Sequence, residues 1–150
     1  MPGQFGPIRR VFFPFRNALA RIMSNVGTLG GHVTVEDHAV IGGLAAVHQF
    51  CRIGKISLIG GCSKVVQDVP PYMLADGNPA ETRTINKIAM ERLGVSEEAQ
   101  IALRAAFKIL FREGLTVSNA LAIVEKKLPP LTEILQLVKF IRASERGIGK

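Results

Sequence analysis

The sequence predicts a short parallel β-helix followed by helices, a β-helix plus α architecture. The first observation behind it is a run of aliphatic residues six apart: Met23, Leu29, Val35, Ile41, Val47, Ile53, Ile59 and Val65. The second is a set of mostly small residues two places earlier: Gly27, Val33, Ala39, Ala45, Cys51, Ser57 and Ser63. A period of six fits neither the 3.6 of a helix nor the 2 of a long strand. It is the repeat of a parallel β-helix. Ordinary short strands in a sandwich do not keep phase over so many repeats.

Each hexad supplies one strand and one corner, so three hexads, about 18 residues, close a triangular coil. Side chains alternate faces along a strand, which turns both the aliphatic residue and the small residue inward. The small residue is required because three short walls enclose little volume. Gly42, Gly54 and Gly60 follow the aliphatic position and suit corners with unusual backbone angles. With Val47 inward, His48 faces out, in a polar pair with Gln49 between two apolar residues. Phe50, also outward, is costly in water, so this wall is expected to pack on another subunit.

Residues 1–22 keep no hexad phase. The first 35 residues hold four arginines and no acid. Phenylalanines and arginines together suit a membrane-surface segment, an organellar transit peptide or an irregular extension without function. After Val65, Pro70, Pro71, Gly77 and Pro79 predict a long ordered loop that leaves the prism. From Ile85 the pattern turns helical. A short helix runs to Leu93 and stops at Gly94. Ser96 caps the next, with Glu97 and Glu98 in its first turn and Leu103, Phe107 and Leu110 as its buried stripe. Gly114 ends it. Thr116 or Ser118 caps a third helix carrying Ala120, Leu121, Val124 and Leu128. After Pro129 and Pro130, Thr132 caps a last one with Leu135, Val138 and Ile141. These helices are expected to cover the open end of the coil. The organisation is therefore 1–22 extension, 23–82 β-helix with its trailing loop, and 83–150 helical domain.

The chain has 150 residues, of which 47% are hydrophobic and 21% charged, enough for an apolar core. Cys51 and Cys62, without a signal peptide, point to a reducing, cytoplasmic compartment. Neither forms a CxxC pair, no His/Cys cluster has zinc spacing, and neither a metal nor a cofactor is expected. No apolar run approaches the roughly 18 residues of a membrane span. The net charge of +7 suits a phosphate-bearing partner without choosing among nucleic acid, anionic lipid and nucleotide. Helix, Gly114, helix on a basic background superficially suits DNA, but Glu97, Glu98, Glu113 and Glu125 disfavour that face.

Four stretches carry a family resemblance: "GGHVTVEDHAVIGG", "AVHQFCRIG", "GGCSKVVQDVPPYMLADGNPAE" and the ending "SERGIGK". On these, residues 22–150 resemble the UDP-N-acetylglucosamine O-acyltransferases of lipid A biosynthesis, in the hexapeptide-repeat acyltransferase superfamily. The match covers the C-terminal half of such an enzyme. The resemblance implies a short left-handed parallel β-helix with a C-terminal helical domain. It also implies a homotrimer with sites between neighbouring prisms, with no metal and no stable membrane insertion. The implied reaction moves an (R)-3-hydroxyacyl chain from acyl carrier protein to the 3-hydroxyl of UDP-N-acetylglucosamine. A histidine acts as general base, a task its near-neutral pKa suits.

By the same resemblance, Gly31 offers a backbone amide to the acyl carbonyl and His32 contacts the sugar. His48 and Gln49 touch nucleotide sugar and acyl chain. Leu58 and Gly61 fall where acyl length is measured. Asn86 and Arg92 hold the uridine and phosphates, the arginine through its forked donors. There are departures. The family has an acidic residue where this chain has Ile88. Its prism is longer at the N-terminal end. Its catalytic histidine, counted back in register, falls on Phe13. A truncated or frame-shifted gene would produce such a chain. A non-catalytic trimeric scaffold, or a nucleotide-sugar-binding fragment, is the alternative.

Overall fold

The computed structural model describes residues 22–24 and 26–150. The extension expected over residues 1–22 lies, but for Ile22, outside the described residues. Eight two-residue strands follow at intervals of six: β1 (Ile22–Met23), β2 (Thr28–Leu29), β3 (Thr34–Val35), β4 (Val40–Ile41), β5 (Ala46–Val47), β6 (Arg52–Ile53), β7 (Leu58–Ile59) and β8 (Lys64–Val65). They stack in parallel as three walls: β1-β4-β7, β2-β5-β8 and β3-β6. Register is one coil per step, Met23 beside Ile41, Ile41 beside Ile59, Leu29 beside Val47 and Val35 beside Ile53.

Sequence spacing accounts for the interior. Val35, Ile41, Val47, Ile53, Ile59 and Val65 are buried, and so are Val33, Ala39, Ala45, Cys51, Ser57 and Ser63. Two members of the aliphatic column depart from this. Leu29 is half-buried and Met23 is 48% exposed; among the described residues their strands pair on one side only, with β5 and β4.

The corners differ from expectation. Gly42, Gly54 and Gly60 do not carry the unusual backbone angles. The left-handed residues come three places after the aliphatic: Val26, His32, His38, Leu44, Phe50, Ile56 and Cys62, with φ between 57° and 64°. Such angles are uncommon for non-glycine residues, most of all for β-branched ones. The preceding corner offsets the strain where both corners are described, since the N–H there donates to a carbonyl nineteen residues earlier. Phe50 N–H donates to Gly31 O at 3.0 Å, Ile56 to Asp37 O at 3.0 Å and Cys62 to Gly43 O at 2.9 Å. The glycines are needed for closeness instead. A Cβ on Gly42 would lie 2.6 Å from Gly61 N and 2.7 Å from Ile59 O.

Beyond Val65 the expected loop is in fact more wall. Val69 bridges Ile53 on the third wall. β9 (Met73–Gly77) adds to the first wall in parallel, Leu74 beside Leu58, and β10 (Ala80–Ile85) returns antiparallel on β9. Pro70 and Pro71 precede β9, at the corner, where their missing N–H groups are not asked for.

Four helices complete the chain: α1 (Lys87–Arg92), α2 (Glu97–Phe111), α3 (Val117–Lys127) and α4 (Thr132–Arg142). Ser96 and Thr116 cap α2 and α3 by accepting from Ala99 N and Asn119 N. Thr132 does not cap α4. Leu131 stands at that position with no side-chain bond, and Leu135 is exposed while Ile134 and Leu137 are buried. The helical core also takes in Ile56 and Tyr72, two outward corner residues of the coil.

One buried carboxylate joins coil and tail. Asp68 accepts from Arg52 N–H at 2.8 Å and from the Ser144 hydroxyl at 2.6 Å, while its own N–H donates to Gly147 O at 2.9 Å. Arg52 lies over the Phe140 ring at 4.2 Å and reaches Glu36 at 3.6 Å, tying α4 to the third wall.

Two substitutions test this account. Gly42→Ala is expected to cost about 1–3 kcal/mol, as overpacking does, whereas Gly31→Ala, with open space around it, stays within about 0.5 kcal/mol. Asp68→Ala removes charge-assisted bonds worth about 1.5–3 kcal/mol each before relaxation, so its urea midpoint falls and the Ser144–Lys150 tail becomes protease-sensitive.

Candidate functional site

An open cleft of about 700 Å³ lies between the outer face of the first wall and α1 and α2. Coil stacking builds its floor: Val40, Leu58 and Leu74 follow one another on successive strands, one coil apart. Ile85, Ile88, Ala89 and Leu93 extend the apolar lining. Lys87, Arg92, Arg104 and His38 supply its basic groups, Thr84 and Asn86 its neutral polar ones, and no carboxylate lines it. An apolar floor with several cations at the side suits a ligand that has a flat or greasy body and an anionic group.

Asn86 holds this arrangement in place. It is buried, its Nδ2 donates to Ile56 O at 2.9 Å, its Oδ1 accepts from Ala89 N at 3.4 Å, and its N–H donates to Tyr72 O at 2.7 Å. The first turn of α1 is thereby fixed to two corners of the coil. Each end of the amide retains one further hydrogen-bonding position toward a ligand. Arg92 is exposed and, among the described residues, makes no hydrogen bond or ion pair. Lys87 is paired with Glu91 at 3.5 Å. Ile88 is 64% exposed at the cleft.

The remaining candidates lie elsewhere on the coil. Gly31, His32, His48 and Gln49 share the corner between the second and third walls. There His32 stacks on Phe50, ring centroids 5.1 Å apart and planes 3° from parallel. Both residues sit at left-handed corners one coil apart. His48 is exposed, with Nδ1 3.3 Å from Gln49 O. Gly61 is exposed at the corner between the first and second walls, its hypothetical Cβ 3.2 Å from Gly43 O. One copy of the chain thus brings together Leu58, Asn86 and Arg92, and separately Gly31, His32, His48 and Gln49. Phe13, expected from the resemblance at the register position of the base, lies outside the described residues. Among the described residues no group of three or more His, Cys, Asp or Glu is placed to hold a metal, and no helix is long and apolar enough to cross a membrane.

Sequence reasoning missed His38, Lys87 and Arg104. Coil arithmetic could have found His38, which shares the corner of Ile56, eighteen residues on. Nothing in the spacing signals Arg104, which reaches the cleft through the packing of α2 on β10.

Residues 68–149 match the family model described as UDP-N-acetylglucosamine O-acyltransferase, domain 2. The acyl-[acyl-carrier-protein]–UDP-N-acetylglucosamine O-acyltransferase of Burkholderia orbicola is 42% identical over 135 residues, covering 85% of this chain and 50% of that protein. The protein of the same name from Ectopseudomonas mendocina is 44% identical over 129 residues, covering 86% and 50%. Among solved structures, LpxA from Acinetobacter baumannii gives a TM-score of 0.83 at 39% identity, covering 87% of this chain and 51% of that one. The Arabidopsis UDP-N-acetylglucosamine acyltransferase gives 0.81 at 36%, covering 87% and 49%. The chain spans about half the length of the curated relatives it matches.

Three stacked walls, the helices after them and these likenesses define a left-handed parallel β-helix protein with a C-terminal helical domain. More particularly, the chain belongs to the UDP-N-acetylglucosamine O-acyltransferase family.

Two variants separate holding from touching. Asn86→Ala should lower stability by about 1–2 kcal/mol, through the lost cap and the Ile56 carbonyl left without its donor. Arg92→Ala should leave the denaturant midpoint unchanged within about 0.5 kcal/mol.

Proposed function

We propose that the chain is the nucleotide-sugar-binding half of an acyltransferase of lipid A biosynthesis. The reaction carries an (R)-3-hydroxyacyl group from acyl carrier protein to the 3-hydroxyl of UDP-N-acetylglucosamine. The observation that carries the reading is the cleft over Leu58, where apolar floor, capped α1 and the Arg92 guanidinium meet. Arg92 and Arg104 receive the diphosphate, and Asn86 positions α1 and turns its remaining amide groups to the base. In the transfer, the sugar oxygen attacks the thioester carbonyl. A C–O bond forms, the C–S bond breaks, and the proton of the hydroxyl leaves with a base while the carrier departs as thiol. Gly31 N–H is the donor for the carbonyl oxygen. His32, His48 and Gln49 line the acceptor and acyl path, and Leu58 and Gly61 bound the acyl chain.

Because the two groups of residues occupy different edges of one prism, the reading includes a homotrimer in which a neighbour's edge completes each cleft. It also includes a cytoplasmic location, where nucleotide sugar and carrier protein meet the chain, and neither nucleic acid nor stable membrane insertion. A second reading, a nucleotide-sugar-binding scaffold without turnover, is favoured by Phe13 at the register position of the base.

Calorimetric titration with UDP-N-acetylglucosamine tests the cleft. Binding is expected, and Arg92→Ala should weaken it about tenfold or more, the worth of one charge-assisted contact. A folded chain that does not bind, or binds equally well without Arg92, overturns the assignment. Mass spectrometry of the sugar after addition of hydroxyacyl carrier protein then divides the readings. Acylated product establishes the enzyme, and binding without product establishes the scaffold.

A further inference from the structure

A second pocket, of about 270 Å³, lies between the outer face of the third wall and α4. It shares no lining residue with the cleft over Leu58. Its two sides follow from two periodicities. Arg52 precedes buried Ile53 in β6 and so faces outward, and Glu36 and Lys55 follow β3 and β6 where the chain leaves that wall. Opposite them, Gln136, Lys139, Phe140 and Ala143 form one stripe along α4 and its C-cap.

The lining offers free donors, while its side-chain acceptors are already used. Glu36 is the one carboxylate there among the described residues. Its Oε2 accepts from Lys55 N–H at 2.9 Å, and its Oε1 lies 3.6 Å from the Arg52 guanidinium. Gln136 Oε1 accepts from the Tyr72 hydroxyl. That hydroxyl stays protonated, because burial raises its pKa and the charges of Glu133 and Glu36 add to the effect. The Gln136 amide is left with an NH2 group that has no partner among the described residues. The ammonium groups of Lys55 and Lys139 likewise make no hydrogen bond or ion pair among them. Arg52, by contrast, is fixed, 4.2 Å over the Phe140 ring and bonded to Phe140 O at 3.4 Å. Three cations against one carboxylate leave the pocket positive.

We infer that this pocket binds a phosphate dianion, either free or as the head of a small monoester. The two negative charges of that group match the excess in the lining. Its oxygens accept, which is what uncommitted N–H groups require. A cation would meet like charge, and an apolar ligand would leave the donors buried without partners.

The test is an NMR titration of the full labelled chain with inorganic phosphate and with phenyl phosphate, at ionic strength held constant with sodium chloride. Saturable amide shifts are expected at Arg52, Lys55, Gln136 and Lys139. Lys55→Met and Lys139→Met should each weaken binding about tenfold or more, the worth of one charge-assisted bond. Glu36→Gln should tighten it, because a negative charge is removed while an acceptor remains for Lys55 N–H. Arg92→Ala, in the other cleft, should leave it unchanged. Tighter binding of phenyl phosphate, with its ring on Pro71 and Phe140, marks a monoester as the occupant, and equal binding marks the free ion. Shifts that do not saturate, or that centre on Arg92 and Arg104, overturn the inference. So do lysine variants that keep both the thermal transition and the affinity of the parent, a folded Glu36→Gln chain that binds more weakly, or binding lost with Arg92→Ala. The titration of the parent chain decides alone where a variant does not fold.

Discussion

The left-handed corner is the constraint from which the rest of this molecule follows. Every sixth residue from Val26 to Cys62 takes a positive φ, and none of the seven is glycine. Residues in such conformations cost of order 1–3 kcal/mol each and persist only where surroundings over-determine them. Here the surroundings are the coil above and the coil below. From Phe50 to Cys62 a corner is held by the N–H bond to the corner nineteen residues back, which one coil alone would not have. Stability therefore grows with stacking, and among the described residues the column is least buried in the first coil, at Met23 and Leu29.

The same corners decide where the helices sit. A left-handed residue points its side chain away from the prism, so its chemistry belongs to whatever lies outside. At the corner between the third and first walls those residues are His38, Ile56 and Tyr72. Ile56 and Tyr72 are buried in the helical core, and Asn86 is bonded to the carbonyls of both. The helix bearing Arg92 is thus placed by two corners of the coil rather than by its own six residues. Asp68 performs the equivalent service for the tail, bonding Arg52 N–H on the third wall and Ser144 after α4.

These relations explain which parts were legible in the sequence. The hexad of Val35, Ile41, Val47, Ile53, Ile59 and Val65 states both the strands and the direction of their side chains, since any slip would bring a polar residue inward. The corners were not legible. Glycine is the residue expected at a positive φ, so Gly42, Gly54 and Gly60 were assigned a conformational role. In the structure they are small because the next coil passes close by. Pro70 and Pro71 misled in the same way. Proline ends a strand only where its N–H is needed, and before β9 it is not, so an extra strand of the first wall was hidden. Thr132 has the chemistry of a cap, but a residue caps only from the position before the first turn, and Leu131 occupies it.

The candidate site shows the limit from the other side. Asn86 and Arg92 entered through resemblance, and the geometry gives them different work. Asn86 is bound at both ends of its amide and supports α1, whereas Arg92 projects into the cleft with its donors uncommitted. Resemblance cannot make that distinction, because a residue that positions and a residue that touches are matched by the same letter. Burial and hydrogen bonding can. They also bear on Ile88, which is 64% exposed at the cleft. No carboxylate shares the lining with it, whereas Lys87, Arg92 and Arg104 do. An anionic group on the apolar floor would therefore meet opposite charge with no like charge in the lining against it.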